Sequence, residues 1–101
     1  MNRETVIERL KQLEGPLRRL GVARLYLYGS YSRDEARPDS DIDILVDFAE
    51  GDARERNLDS YLAPYHVLEE TFPGTEIGYG TRDNIEPLYR PYIERSAVQV
   101  F

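Results

Sequence analysis

Cysteine is absent from this sequence, and lysine and histidine each occur once, as Lys11 and His66. The lack of cysteine excludes disulfides, zinc–thiolate sites and cysteine nucleophiles. The chain also has no basic run: its formal net charge is −6, from 13 Lys and Arg against 19 Asp and Glu. Nonspecific nucleic-acid binding depends on neutralising phosphates, so we expect no direct nucleic-acid partner. The acidity instead fits a bound metal ion or a basic protein partner.

Long apolar runs are missing as well. The N-terminal residues Met1–Glu4 lead into a charged helical pattern. We therefore expect neither a signal peptide nor a membrane span, and a cytoplasmic location. The length of 101 residues suffices for one compact domain, residues 1–101. A domain of this size buries roughly 60–70% of the surface that its unfolded chain exposes.

Helical and strand patterns alternate along the chain, which predicts an α/β domain with a small sheet covered by helices. The first helix carries an apolar stripe from Val6 to Leu20 and is kinked or restarted at Gly15-Pro16. The remaining predicted elements are a strand at 22–28, a short helix at 31–36, a strand at 41–48, a helix at 54–71, a short strand at Thr75–Tyr79, a helix at Glu86–Arg95 and a little strand at Val98–Phe101.

A glycine–serine turn, Gly29-Ser30, follows the first predicted strand and opens the predicted short helix. The start of a helix presents unpaired backbone N–H groups and a positive dipole end, and both bind phosphate. Gly29 permits close backbone approach, and the Ser30 hydroxyl can add a contact. Taken alone, the dipeptide is typical of an ordinary turn. Its distance from the carboxylates that follow favours a triphosphate site.

Two aspartates, Asp41 and Asp43, project from one face of the second predicted strand, directly after a turn. Magnesium prefers a few carboxylate oxygens together with substrate phosphates, so the pair predicts a metal site at this strand end. The alternative is a solvated strand end, where Asp-x-Asp is common. Asp47 shares the face but lies too far along the strand to reach the same metal ions.

A nucleotidyl-transfer site usually needs a third carboxylate, as a general base or a further metal ligand. The candidate is Glu76, on the predicted strand Thr75–Tyr79, although an exposed glutamate on an edge strand is nearly as good an interpretation. Arg33 is a candidate contact for the triphosphate, or else a solvated charge. Ser40 precedes Asp41 and can orient it by a hydrogen bond.

The stretch from Gly29-Ser30 through ten residues to Asp41-Ile42-Asp43 resembles the signature of the nucleotidyltransferase superfamily related to DNA polymerase beta. The short length and the segment 81–89 resemble its minimal nucleotidyltransferase (MNT) branch, and the resemblance covers essentially the whole chain. It implies a palm-like α/β (α+β) fold, a small mixed sheet with flanking helices. It also implies Mg²⁺ as the cofactor and ATP as the nucleotide.

The resemblance assigns roles residue by residue. The catalytic and metal-binding carboxylates are Asp41, Asp43 and Glu76, and Gly29 and Ser30 bind the nucleotide. From their positions we add Ser40 and Arg33 as candidate nucleotide-binding residues. The third acid of the family is usually aspartate. Glu76 is one methylene longer, so this chain departs from the family pattern at that position.

MNT proteins are antitoxins of HEPN/MNT toxin–antitoxin pairs. The resemblance therefore implies transfer of AMP from ATP to a tyrosine of a HEPN toxin ribonuclease, with which the chain would form a hetero-oligomer. The alternative is a catalytically weak or inactive antitoxin that neutralises the toxin by direct binding. A third hypothesis, a small-molecule nucleotidyltransferase, is disfavoured because the chain lacks the extra helical domain that larger relatives use to hold an acceptor.

Histidine and tyrosine complete the candidate residues. The toxin would carry an arginine and a histidine a few residues apart, but His66 has no arginine four to six residues before it, so this chain is not the ribonuclease. We expect His66 on the helix surface or partly packed. Among the 8 tyrosines, two pairs share a helix face: Tyr61 with Tyr65, and Tyr89 with Tyr92. They fit a protein interface or the completion of a small core equally well.

Overall fold

A mixed sheet forms the centre of the computed structural model, which describes residues 1–49, 57–82 and 85–101. Its strands are β1 (Val22–Tyr28), β2 (Ile42–Phe48), β3 (Ile77–Thr81) and β4 (Val98–Gln99), in the order β3-β2-β1-β4. β2 and β3 run parallel, whereas the other two pairs are antiparallel. The predicted small mixed sheet with flanking helices is confirmed.

Helices α1 (Arg3–Gln12), α2 (Glu14–Arg19), α3 (Leu58–Thr71) and α4 (Arg90–Ser96) complete the fold. The predicted interruption of the first helix is confirmed, because α1 ends before Leu13 and α2 restarts at Glu14. Pro16 lies in the first turn of α2, where its missing N–H leaves no hydrogen bond unmade. Gly21 has a positive φ of 96° and lies just after α2, where glycine commonly ends a helix.

The alternating side chains of β1 and β2 divide the sheet into two faces. Leu25 and Leu27 pair with Val46 and Ile44, and all four are buried. On this face the sheet packs against the buried side chains of the first three helices: Val6, Leu10, Leu17 and Leu68. The opposite, open face carries the paired residues Tyr28 and Asp43, Tyr26 and Leu45, and Arg24 and Asp47. Because one face is committed to the core, the polar residues of β2 are fixed on the other.

The predicted short helix at 31–36 is wrong, because the described backbone there forms successive turns. Asp34 has a φ of +58°, which is incompatible with a right-handed helix. The Ser32 hydroxyl donates to the carbonyl of Gly29 at 2.7 Å. Such a local side-chain bond competes with helical hydrogen bonding.

Other predicted elements also have different bounds: the strand predicted at 41–48 begins at Ile42, and the one predicted at Val98–Phe101 is Val98–Gln99. The helix predicted at 54–71 is observed from Leu58, with Asn57 as its N-cap; residues 54–56 lie outside the described residues. The strand predicted at Thr75–Tyr79 begins at Ile77. The Thr75 N–H donates to the Phe72 carbonyl, so Thr75 still belongs to the turn around Gly74. The helix predicted at Glu86–Arg95 begins at Arg90, since Pro91 has no N–H with which to continue the helix backwards.

The tyrosine pairs have different environments. Tyr61 and Tyr65 each lie against Tyr79, with ring centroids 5.5 Å and 5.9 Å apart, so this pair completes the packing around β3. Tyr89 and Tyr92 are 58% and 67% exposed and contribute little to the core.

His66 lies on the exposed surface of α3, with its Nδ1 3.3 Å from Glu69, as predicted. None of the helices in the described part of the chain is long and apolar enough to cross a membrane.

Candidate active site

The site begins at the glycine turn after β1. Gly29 has a φ of +76°, a conformation that favours glycine. The turn is closed by two bonds to its carbonyl, from the Ser32 hydroxyl and from the Arg33 N–H at 3.3 Å, and the Arg3 guanidinium donates to the Ser32 carbonyl at 3.1 Å. A loop tied in this way holds its backbone N–H groups in a fixed direction.

Three consecutive N–H groups in this loop, those of Ser30, Tyr31 and Ser32, donate to no acceptor within the described residues. Successive free N–H groups in a turn form a concave anion-binding site without any helix. The loop therefore has donors of the kind that bind phosphate, and its role in binding a nucleotide stays a prediction. The donors belong to turns, whereas the sequence predicted the first turn of a helix.

The carboxylate pair lies at the adjacent end of β2. Asp43 pairs with Tyr28, the last residue of β1, and is half-buried on the open face. Asp41 immediately precedes β2 and is exposed. The pKa of Asp43 is raised, first by burial and then by the negative charge of Asp41, while Arg33 opposes the shift. Burial of Tyr28 and the charge of Asp43 likewise raise the pKa of the Tyr28 phenol.

The carboxylate of Asp43 lies against two glycines. A Cβ at position 78 would stand 2.5 Å from Asp43 Oδ1, and a Cβ at Gly29 would overlap Oδ2. Gly78 is the β3 residue that pairs with Asp43 in the parallel ladder. Real Cβ atoms essentially never approach an oxygen so closely, so the carboxylate occupies space that exists only because both residues are glycines.

Glu76 precedes β3 and is exposed. Its carbonyl accepts a 2.9 Å bond from the N–H of Ile42, so its backbone lies beside the start of β2. Its charge contributes to the raised pKa of Tyr65, after the larger effects of the hydrogen bond to Glu69, burial and the charge of Glu69. The charges that act on Asp43 are those of Asp41 and Arg33. The assignment of Glu76 as the third carboxylate stays a prediction.

Arg33 and Ser40 take separate positions around the pair. Arg33 is exposed, lies close enough to Asp43 to oppose the rise of its pKa, and contacts Glu35 at 3.1 Å. The Ser40 hydroxyl accepts a 2.8 Å bond from the Arg37 N–H, and the Ser40 N–H returns a 2.9 Å bond to the Arg37 carbonyl. Ser40 thus closes the turn that leads into Asp41 and acts on that aspartate through the backbone.

The far end of the open face carries a network of ion pairs around Asp47. Its Oδ2 lies 3.2 Å from Arg24 Nε and 3.3 Å from Arg82 Nη1. Arg82 also donates to the Tyr26 hydroxyl at 3.0 Å and contacts Glu94 of α4 at 3.5 Å. This network holds α4 against the sheet, and sequence reasoning missed Arg82. By contrast, no described cation forms an ion pair with Asp41 or Asp43 within 4.0 Å.

The oxygen donors of Asp41 and Asp43 fit a magnesium ion. Two neighbouring carboxylates without a cationic partner repel one another, and a bound divalent cation would relieve that repulsion. Among the described residues, no group of three or more His, Cys, Asp or Glu side chains is placed to hold a metal. Magnesium commonly takes one or two carboxylates and completes its shell with water and substrate phosphates. The N–H groups of Ser30, Tyr31 and Ser32 follow Tyr28, the strand partner of Asp43, so they belong to the same end of the sheet.

Residues 3–100 match the nucleotidyltransferase domain family. The chain belongs to this family. It is 42% identical over 80 residues to MJ0435 of Methanocaldococcus jannaschii, which is provisionally named a protein adenylyltransferase; the alignment covers 79% of this chain and 81% of that protein. The resemblance derived from Gly29-Ser30 and Asp41-Ile42-Asp43 is thereby confirmed, and the chain carries the domain of an enzyme family that transfers nucleotides.

Two solved structures have the same fold. One, provisionally described as a minimal nucleotidyltransferase, matches with a TM-score of 0.77 and 32% identity, over 97% of this chain and 95% of the other. A toxin–antitoxin crystallised with AMP-PNP matches with a TM-score of 0.65 and 18% identity, over 100% of this chain and 73% of the other. The second match, at its low identity, bears on the fold alone.

Gly78 is the site residue that the sequence analysis did not identify. The signal was present in the alternation Gly78-Tyr79-Gly80, since glycine inside a strand often marks close approach of another group. The nucleotidyltransferase signature drew attention to acidic residues near β3, and Glu76 met that expectation. Only the strand register shows that the neighbour of Asp43 is Gly78.

Proposed function

We propose that this chain is a protein adenylyltransferase that serves as the antitoxin of a toxin–antitoxin pair. It transfers AMP from ATP to a tyrosine of a HEPN toxin ribonuclease. The observation that carries the proposal is the carboxylate pair Asp41 and Asp43 at the end of β2, with which no described cation forms an ion pair. Beside it is a loop in which three N–H groups donate to no acceptor in the described part of the chain. A provisionally named protein adenylyltransferase that is 42% identical supports the enzyme class, and the resemblance to the MNT branch supplies the kind of partner.

The chemistry is a single displacement at phosphorus. The tyrosine oxygen of the acceptor forms a bond to the α-phosphorus of ATP, the bond from that phosphorus to the β-phosphate oxygen breaks, and pyrophosphate leaves with its electron pair. The phenolic proton passes to a base, and Glu76 is our candidate for that role. Bound at Asp41 and Asp43, Mg²⁺ would neutralise developing charge and activate the attacking oxygen. The loop N–H groups of Ser30–Ser32 orient the triphosphate.

An aromatic cavity adjoins the carboxylates. It measures about 410 Å³ and runs from Tyr28, the strand partner of Asp43, past Gly80 to Tyr89 and Ile93. The exposed residues Leu88 and Tyr89, in the turn before α4, and Tyr92, on α4 itself, continue from it. Since the acceptor tyrosine has to reach the α-phosphate from this open face, we propose that the toxin docks across α4.

A second candidate function is an antitoxin that neutralises by binding, with little or no transfer. It is favoured by one observation: among the described residues, no third acidic side chain joins Asp41 and Asp43 in a metal-binding group. The two candidates differ in what the aspartates do. A binding antitoxin neutralises the toxin without them, whereas an adenylyltransferase requires them.

Intact-protein mass spectrometry separates the candidates. The chain, ATP, Mg²⁺ and the product of the neighbouring gene are mixed, and the same reaction is run with the Asp41→Asn/Asp43→Asn variant. The matched control is Asp47→Asn, which removes a carboxylate from the same face of β2 but from the arginine network. We expect whole AMP units on the partner with the parent and with Asp47→Asn. A stable complex with no mass change would refute the transferase and favour the binding antitoxin.

A further inference from the structure

The Asp43 carboxylate is confined between two stretches of backbone. On one side is the turn at Gly29, and on the other is Gly78 in the paired position of β3. Side chains at paired positions of neighbouring strands ordinarily stand side by side, about 5 Å apart at Cβ. Here Asp43 instead lies over the backbone of Gly78, where a Cβ would be 2.5 Å from Oδ1 and 3.6 Å from Cγ.

Space, and no special backbone conformation, explains glycine at position 78. The glycines with positive φ in the described chain are Gly21, Gly29 and Gly74, so the backbone at 78 suits any residue. Glycine inside a strand costs roughly 0.5–1 kcal/mol relative to alanine. Gly80 lies two residues further on the same face, and a Cβ there would meet only Leu45 Cδ2 at an ordinary 3.7 Å. The close approach is therefore particular to Gly78 and the carboxylate.

We infer that Gly78 is a positioning residue for Asp43: its missing side chain sets where the carboxylate lies and hence how it presents oxygen to a metal ion. The inference rests on the proposed function, because it supposes that Asp43 is a metal ligand. With a methyl group at position 78, the carboxylate has to rotate away from β3. It cannot retreat towards Gly29, because the backbone of the turn occupies that side. It therefore swings towards solvent, out of alignment with Asp41.

The test compares Gly78→Ala with Gly80→Ala, the same change on the same face of the same strand. Mn²⁺ binding to the chain with a non-hydrolysable ATP analogue is measured by calorimetry. Disturbing the orientation of a metal ligand typically weakens binding by about 10- to 100-fold, so we expect at least about a tenfold loss for Gly78→Ala and less than about twofold for Gly80→Ala. Equal Mn²⁺ affinity in Gly78→Ala and the parent would overturn the inference.

A thermodynamic cycle guards against a simple folding defect. Melting temperatures without metal are measured for Gly78→Ala, Asp43→Ala and the double variant. If the alanine methyl acts by displacing the carboxylate, any destabilisation by Gly78→Ala disappears once Asp43 is already alanine. A destabilisation that persists in the Asp43→Ala background would overturn the inference. Failure of the parent itself to bind Mn²⁺ through Asp41 and Asp43 would refute the proposed function as well, which distinguishes the two failures.

Discussion

Asp43 and Asp47 lie on one face of β2, and the structure gives them different surroundings. Asp47 forms ion pairs with Arg24 and Arg82, and its side chain is only 15% exposed. Asp43 has no such partner in the described chain; its pKa is raised by burial and by Asp41. We therefore predict that Asp47→Asn lowers stability and spares AMP transfer, whereas Asp43→Asn abolishes transfer and spares stability.

The cost of Asp47→Asn follows from its two contacts. Replacing the charged acceptor of Arg82 by a neutral amide lowers a hydrogen-bond contribution of about 1.5–3 kcal/mol to about 0.5–1.5 kcal/mol. The ion pair with the 56% exposed Arg24 adds at most about 1 kcal/mol. The free energy of unfolding thus falls by about 1–2 kcal/mol, which corresponds to a melting-temperature decrease of roughly 4–16 °C in a domain of this size.

The opposite result is expected at position 43. Asp43→Asn removes a charge that burial and Asp41 disfavour, so the metal-free melting temperature stays equal or rises. Transfer falls by at least about a hundredfold, because a metal site supplies several kcal/mol to the transition state. Thermal unfolding by circular dichroism and mass spectrometry of the partner measure both quantities. A lower melting temperature for Asp43→Asn, or loss of transfer in a stable Asp47→Asn, would refute the assignment.

Three further predictions concern the same face. Gly29→Ala lowers both the melting temperature and transfer, because it forces a Cβ onto a φ of +76° and into Asp43 Oδ2; unchanged values in both assays would contradict the geometry of the turn. Without metal, the raised pKa of Asp43 stabilises the fold most below the unfolded-state pKa, and this contribution is lost as pH rises through the folded-state pKa. The melting temperature of the parent minus that of Asp43→Asn therefore falls over this pH range, and a difference that is independent of pH would show that the pKa is not raised. Leu88→Ser/Tyr92→Ser leaves the melting temperature of the chain unchanged, because both side chains are exposed, but weakens toxin binding in calorimetry; equal affinity would remove α4 from the proposed interface.

The parts of the fold that the sequence predicted correctly depend on local patterns. Apolar residues alternate with polar ones in β2. Because successive side chains of a strand point to opposite faces, Asp43 lies on the face opposite to Ile42 and Ile44, whichever elements pack against the sheet. The turn at Gly29 was identified from residue type, which its positive φ explains. The helix expected after it was wrong because the bond from the Ser32 hydroxyl to the Gly29 carbonyl competes with helical bonding, and propensity does not reveal which will form.

The sequence by itself predicted an α/β fold with Asp41 and Asp43 beside a glycine turn, because a strand period and a glycine conformation are properties of neighbouring residues. The nucleotidyltransferase family came from the resemblance of this signature, which the family match over residues 3–100 confirmed. Only the tertiary structure decided that Gly78, and not Glu76, pairs with Asp43, since the register between β2 and β3 is set by packing between segments distant in sequence. It also decided that Asp47 forms an ion pair with Arg82. Two aspartates alike in sequence have different surroundings, because the arginines that pair with Asp47 come from other parts of the fold.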